Sequence, residues 1–192
     1  MAMPATHRRW TRAEVKALID ANPSQTPRYE LVDGELLVTP SPILPHQRAV
    51  RELVVALHAY LLENPIGEVV NSPSDVELED DTIVQPDVYV IPAEEGTRLE
   101  TGLPGQLLLL AIEIISPGSS RADRGVKRAL YQRHVPEYWI VDLDGALFER
   151  WRPGDERPEI LRERVDWLPA ESSVPFQLDL PGFFARVTPT IR

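Results

Sequence analysis

Residues 107–117, Leu-Leu-Leu-Leu-Ala-Ile-Glu-Ile-Ile-Ser-Pro, place one carboxylate, Glu113, inside an otherwise apolar run. A short continuous apolar run reads as a β-strand covered on both faces. An ionised carboxylate in such a strand is costly unless it is paired, hydrogen-bonded or bound to a metal. The chain must therefore bring a partner to Glu113. Upstream, Pro86-Asp87 opens a second apolar strand, Val88-Tyr89-Val90-Ile91. Downstream, Lys127 lies on an amphipathic segment.

The remaining elements surround these two strands. Thr11 and Glu14 form a capping box that opens a short helix. Asp33-Gly34 between two apolar runs is a hairpin signal, and a two-residue turn sets Val32 against Glu35, Leu31 against Leu36 and Glu30 against Leu37. That register predicts one apolar face of Tyr29, Leu31, Leu36 and Val38, with Glu30 and Glu35 on the other. Three prolines precede a helix expected over residues 46–63, with Val50, Leu53, Val54, Leu57, Tyr60 and Leu61 as its apolar stripe. His46 stands at its start, on the stripe or at its rim. Strands are expected near 68–71 and 74–78, then at 86–91 and 107–115. A helix over 121–134, a strand at 137–142 and a hairpin partner at 146–151 follow. Residues 152–192 read as short strands and proline-rich loops. The order is that of an α/β domain with a mixed sheet, and the 192 residues are expected to form a single domain.

Composition narrows the function. With no cysteine, thiol catalysis, disulfides and cysteine-ligated zinc are excluded. No apolar stretch is long enough for a membrane span and no signal peptide is visible, so a cytoplasmic protein without membrane contact is expected. A net charge of −10 argues against broad binding to nucleic-acid phosphates, although Arg121, Arg124, Lys127, Arg128 and Arg133 offer a local basic patch. Only Lys16 and Lys127 are lysine among 20 basic residues, which suggests that a compact ammonium is needed at position 127.

Asp87, Glu113 and Lys127 make up the inventory of a metal-dependent phosphodiesterase. Two carboxylates and a backbone carbonyl on neighbouring strands suffice for a hard divalent cation such as magnesium. The bland readings are an arginine paired with Glu113 in a structural ion-pair core, and a strand-entry role for Asp87. A glycosidase also needs two carboxylates, but no aromatic sugar platform accompanies them.

Several stretches together resemble the Uma-two endonuclease family, which has a restriction-endonuclease-like PD-(D/E)XK fold. They are Tyr29-Glu30-Leu31-Val32-Asp33-Gly34-Glu35-Leu36, His46, Gln85-Pro86-Asp87-Val88, Glu113-Ile114-Ile115-Ser116-Pro117, Asp123 with Lys127 and Tyr131, and Val135-Pro136-Glu137-Tyr138-Trp139-Ile140-Val141-Asp142. The resemblance implies a mixed β-sheet flanked by helices, with an N-terminal β-hairpin. It implies Asp87, Glu113 and the carbonyl of Ile114 as ligands of magnesium or manganese. Lys127 would be the catalytic cation, and Glu30 would add a carboxylate. Nucleic acid, DNA in preference to RNA, is the implied substrate, and a nuclease fold used only to bind nucleic acid or protein is the alternative. A homodimer would be consistent with the fold, with Trp167, Phe183 and Phe184 as an apolar surface or, equally, as core. Two departures stand out. Ile115 occupies the position where the superfamily pattern has its lysine, and no glycine separates His134 from Val135-Pro136.

Overall fold

The computed structural model describes residues 8–93, 103–104, 107–115, 120–170 and 172–188. Asp33 and Gly34 both take left-handed backbone angles, φ 50° and 76°. This is the turn whose twist matches two antiparallel strands. It joins β1 (Arg28–Val32) to β2 (Glu35–Thr39) in the expected register, Val32 opposite Glu35 and Glu30 opposite Leu37. The expected apolar face forms: Tyr29, Leu31 and Leu36 pack with Val15 of α1 (Arg12–Asp20) and Ile83, while Val38, expected on that face, is exposed. Glu30 lies on the other face, as expected, and is buried there, so both faces of β1 are covered at its centre. The capping box is formed: Thr11 accepts from the Glu14 N–H, and the Glu14 carboxylate accepts from the Thr11 N–H at 2.9 Å.

β1 pairs with β5 (Thr82–Val84), a strand the sequence pattern concealed behind an acidic turn. β5 pairs with β4 (Val76–Glu79), and β4 with the short β7 (Leu103–Pro104). The outer sheet thus runs β2-β1-β5-β4-β7.

The central sheet runs β11-β10-β9-β8-β6-β3. Its strands are β3 (Gly67–Asn71), β6 (Val88–Pro92), β8 (Leu110–Ile115), β9 (Tyr138–Asp142), β10 (Leu147–Trp151) and β11 (Glu159–Leu161). β8 and β9 are parallel and the other pairs antiparallel, so the sheet is mixed. One face carries Val90, Ile112, Trp139 and Phe148. It is covered by α2 (Leu44–Glu63), the hairpin β12–β13 (Arg164–Trp167 and Phe176–Asp179) and α5 (Leu180–Val187). The other face carries Tyr89, Ala111, Ile115, Tyr138 and Ile140, packed against Val76, Val84, Leu130 and Tyr131. All six β8 residues are buried because helices lie on one side and the outer sheet with a helix on the other.

The C-terminal helix α5 corrects the expectation of strands and loops there. Its signal was local: Asp179 caps the Gly182 N–H, and Pro181 sits in the first turn, where no N–H is needed. Trp167, Phe183 and Phe184 are core residues of this layer and offer no surface to a second copy. The segment after β8 runs as α3 (Ser120–Ala122), a wide turn (Asp123–Lys127) kinked at Gly125, whose φ −104° and ψ −105° are not helical, and α4 (Arg128–His134). It ends without a glycine because Val135, before a proline, is extended, φ −124° and ψ 133°. The expected turn at 116–119 and most of the connection 92–105 lie outside the described residues.

Candidate active site

Pro86 cannot donate to a sheet ladder. The last observed pair between β6 and β8 is Val88 with Ile112, and one further step sets Asp87 opposite Glu113. Opposed residues of antiparallel strands share a face, so the two carboxylates stand side by side. Asp87 also continues the ladder with its side chain, accepting the Ile114 N–H on Oδ2 at 2.8 Å. The adjacent strands required by the sequence reading are therefore present.

Asp87 is 2% exposed. Arg28 Nη1 donates to its Oδ1 at 2.8 Å, and His46 Nε2 lies 3.0 Å from Oδ2. An ionised carboxylate only accepts, so Nε2 carries the imidazole proton there. Burial alone would raise the Asp87 pKa. The His46 hydrogen bond, the Arg28 charge and the Ile114 N–H outweigh it and hold the group below the usual carboxylate range.

Glu113 is 1% exposed. Lys127 Nζ sits 2.6 Å from its Oε1, and the Tyr131 hydroxyl donates to the same oxygen at 2.9 Å. Lys127 also lies 3.0 Å from Glu30 and 3.3 Å from Asp123. Glu30 further accepts the Gln85 N–H at 2.8 Å. One ammonium thus serves three buried carboxylates. Burial drives the Glu113 carboxyl well above its ordinary value; Lys127 opposes this, and Asp87, Asp123 and Glu30 add to it. Burial would also lower Lys127, but the three carboxylates more than reverse that and keep the ammonium charged.

A cavity of 520 Å³ opens above Asp87, Glu113 and Ile114, walled by Arg28, His46 and the N-terminal turn of α2. Lys127 and Glu30 do not line it; they stand behind Glu113. Alternation along β8 puts the Ile114 carbonyl on the same edge as its N–H, toward Asp87. Asp87, Glu113 and Ile114 thus bring oxygens to one side of the cavity. These are hard donors suited to magnesium or manganese. Among the described residues, however, no three Asp, Glu, His or Cys side chains already converge into a cage.

The sequence reading named Asp87, Glu113, Ile114, Lys127 and Glu30, and the fold gathers all five. It missed Arg28, which looks like any charged residue at a strand entrance. Asp123 was legible from its spacing, one turn before Lys127. In place of the arginine that the bland reading set against Glu113 stands Lys127, and an arginine, Arg28, meets Asp87. The proposed basic patch is not a free one. Arg124 binds Asp142 and Glu149, Arg133 binds Glu79, and Arg128 lies over Trp151.

A mixed sheet with carboxylates on two adjacent strands, backed by a lysine from the next helix, defines a restriction-endonuclease-like α/β domain. The chain belongs to the Uma2 family, described as putative restriction endonucleases, whose profile matches residues 13–187. Its fold is similar to the crystal structure of a putative nuclease belonging to DUF820 from Anabaena variabilis. That similarity has a TM-score of 0.68 and 20% identity, and covers 84% of this chain and 92% of the other. No curated protein matches the chain significantly. No described helix is long and apolar enough to cross a membrane.

Proposed function

We propose that this protein is a magnesium- or manganese-dependent endonuclease that hydrolyses nucleic-acid phosphodiester bonds, with DNA the preferred substrate. The observation that carries the proposal is the pair of buried carboxylates, Asp87 at the entrance to β6 and Glu113 on β8, that line one cavity. The family supports a nuclease, and the oxygen donors support the metal. Asp87, Glu113 and the Ile114 carbonyl would hold the ion. When bound, it would supply charge neutralisation at the phosphate and lower the pKa of water.

The protein's own groups prepare that pair. Ile114 N–H and His46 fix the Asp87 carboxylate in its plane. Lys127 and Tyr131 fix Glu113 through Oε1. Lys127 acts through Glu113 as a positioning residue, because the cavity floor lies between it and a substrate. Glu30 holds the ammonium from the other side.

The test is cleavage of labelled single- and double-stranded DNA and RNA, with manganese, magnesium or chelator, beside Glu113→Ala. Metal-dependent cleavage that disappears in the variant supports the proposal. Absence of cleavage in every condition, with binding retained, would favour a nuclease fold used for recognition alone.

A further inference from the structure

We infer that Arg28 is a built-in competitor of the metal: its guanidinium occupies the Asp87 carboxylate, and a cation binds there only when Arg28 moves off. The inference rests on the metal-dependent reading above.

The Asp87 carboxylate is already well used. Oδ1 accepts from Arg28, and Oδ2 from both His46 and the Ile114 N–H. A carboxylate offers about four lone-pair sites, so few remain for a cation. The backbone donor has no reason to leave, since it belongs to the strand.

Arg28 is held in a way that permits release. Arginine grips a carboxylate best as a fork, through two parallel N–H bonds. Here a single nitrogen, Nη1, faces Asp87 at 2.8 Å, the Gln85 carbonyl at 3.1 Å and the Ser72 hydroxyl at 3.3 Å. Nη1 has two hydrogens for these three acceptors, while Nε is buried with no hydrogen-bond partner. The guanidinium thus uses only part of its donor capacity.

It also has somewhere to go. Arg28 lines both the active-site cavity and a neighbouring cavity of 370 Å³. Asp20 and Asp75 line the second cavity and provide carboxylates that could receive the displaced charge. A swing between the two exchanges one carboxylate for others and opens Asp87 beside Glu113.

The experiment measures Mn²⁺ binding to the metal-free full chain by electron paramagnetic resonance of the free ion, at constant ionic strength. Arg28→Gln is expected to bind Mn²⁺ on the order of 10- to 100-fold more tightly than wild type, the range over which a neighbouring opposite charge shifts occupancy of a carboxylate. A second measurement needs no folded variant. In wild-type protein with ¹⁵N-labelled arginine, the Arg28 Nε–H resonance is expected to shift in step with Mg²⁺ binding. Equal or weaker Mn²⁺ binding by Arg28→Gln, or Mg²⁺ saturation with that resonance unmoved, would overturn the inference and leave the metal-dependent reading standing. Failure of both proteins to bind Mn²⁺ would overturn both.

Discussion

Replacing Lys127 with methionine keeps the length of the side chain and removes its charge. Lys127 Nζ lies 2.6 Å from Glu113, 3.0 Å from Glu30 and 3.3 Å from Asp123. At an effective dielectric of about 20, each contact is a gross attraction of about 5 to 6 kcal/mol. Desolvation offsets much of it, at several kcal/mol per ion. The variant leaves three buried carboxylates without their shared cation. Removing one partner of a buried pair costs about 3 to 5 kcal/mol, a large part of a total stability of about 5 to 15 kcal/mol. Removing one of the stranded carboxylates should return part of it. Lys127→Met with Glu113→Gln is therefore expected to recover about 1 to 3 kcal/mol relative to additivity. Urea unfolding of the four proteins of this cycle, metal-free at pH 7, measures both quantities. A Lys127→Met variant within about 1 kcal/mol of wild type, or an additive double variant, would refute the shared-cation account.

Three further outcomes are expected. Glu113 holds a raised pKa in the folded state, so the native protein keeps a proton that the unfolded chain releases above about pH 4.3. Its stabilising effect is complete below that pH and is lost as pH rises toward the folded value, at up to about 1.4 kcal/mol per pH unit. The stability of metal-free wild type should therefore fall relative to Glu113→Gln as pH rises from there, and a difference independent of pH would count against the shift. Glu113→Ala is expected to abolish Mn²⁺ binding, whereas Lys127→Met keeps binding and loses about 10²- to 10³-fold in turnover; calorimetry and single-turnover cleavage separate these roles, and equal loss of affinity in both variants would merge them. Phe183 is fully buried and meets Phe148 edge-on at 5.5 Å, so Phe183→Ala should cost about 3 to 5 kcal/mol in urea unfolding.

Local rules in the sequence determined a good deal of this protein. The Thr11–Glu14 capping box, the Asp33-Gly34 turn and the β1–β2 register depend on residues within a few positions of one another. The apolar run around Glu113 required a strand covered on both faces, because only such an environment accommodates it. The same reasoning required a partner for Glu113 and drew attention to Lys127 in a chain that otherwise uses arginine. Tertiary structure decided the rest, through contacts between residues far apart in sequence. Alternation within β1 sets Glu30 on the face opposite Leu31, but its burial there comes from the segment that carries Lys127, which no pattern within the strand encodes. Arg28 meets Asp87 because β1 and the start of β6 converge, 59 positions apart along the chain. The position of Lys127, behind Glu113 instead of on the cavity, follows from the turn kinked at Gly125 and the seating of α4 on the sheet. Residue type and spacing establish which charges must be buried; only packing in three dimensions decides which counter-charge each one meets and which face is left open to a substrate.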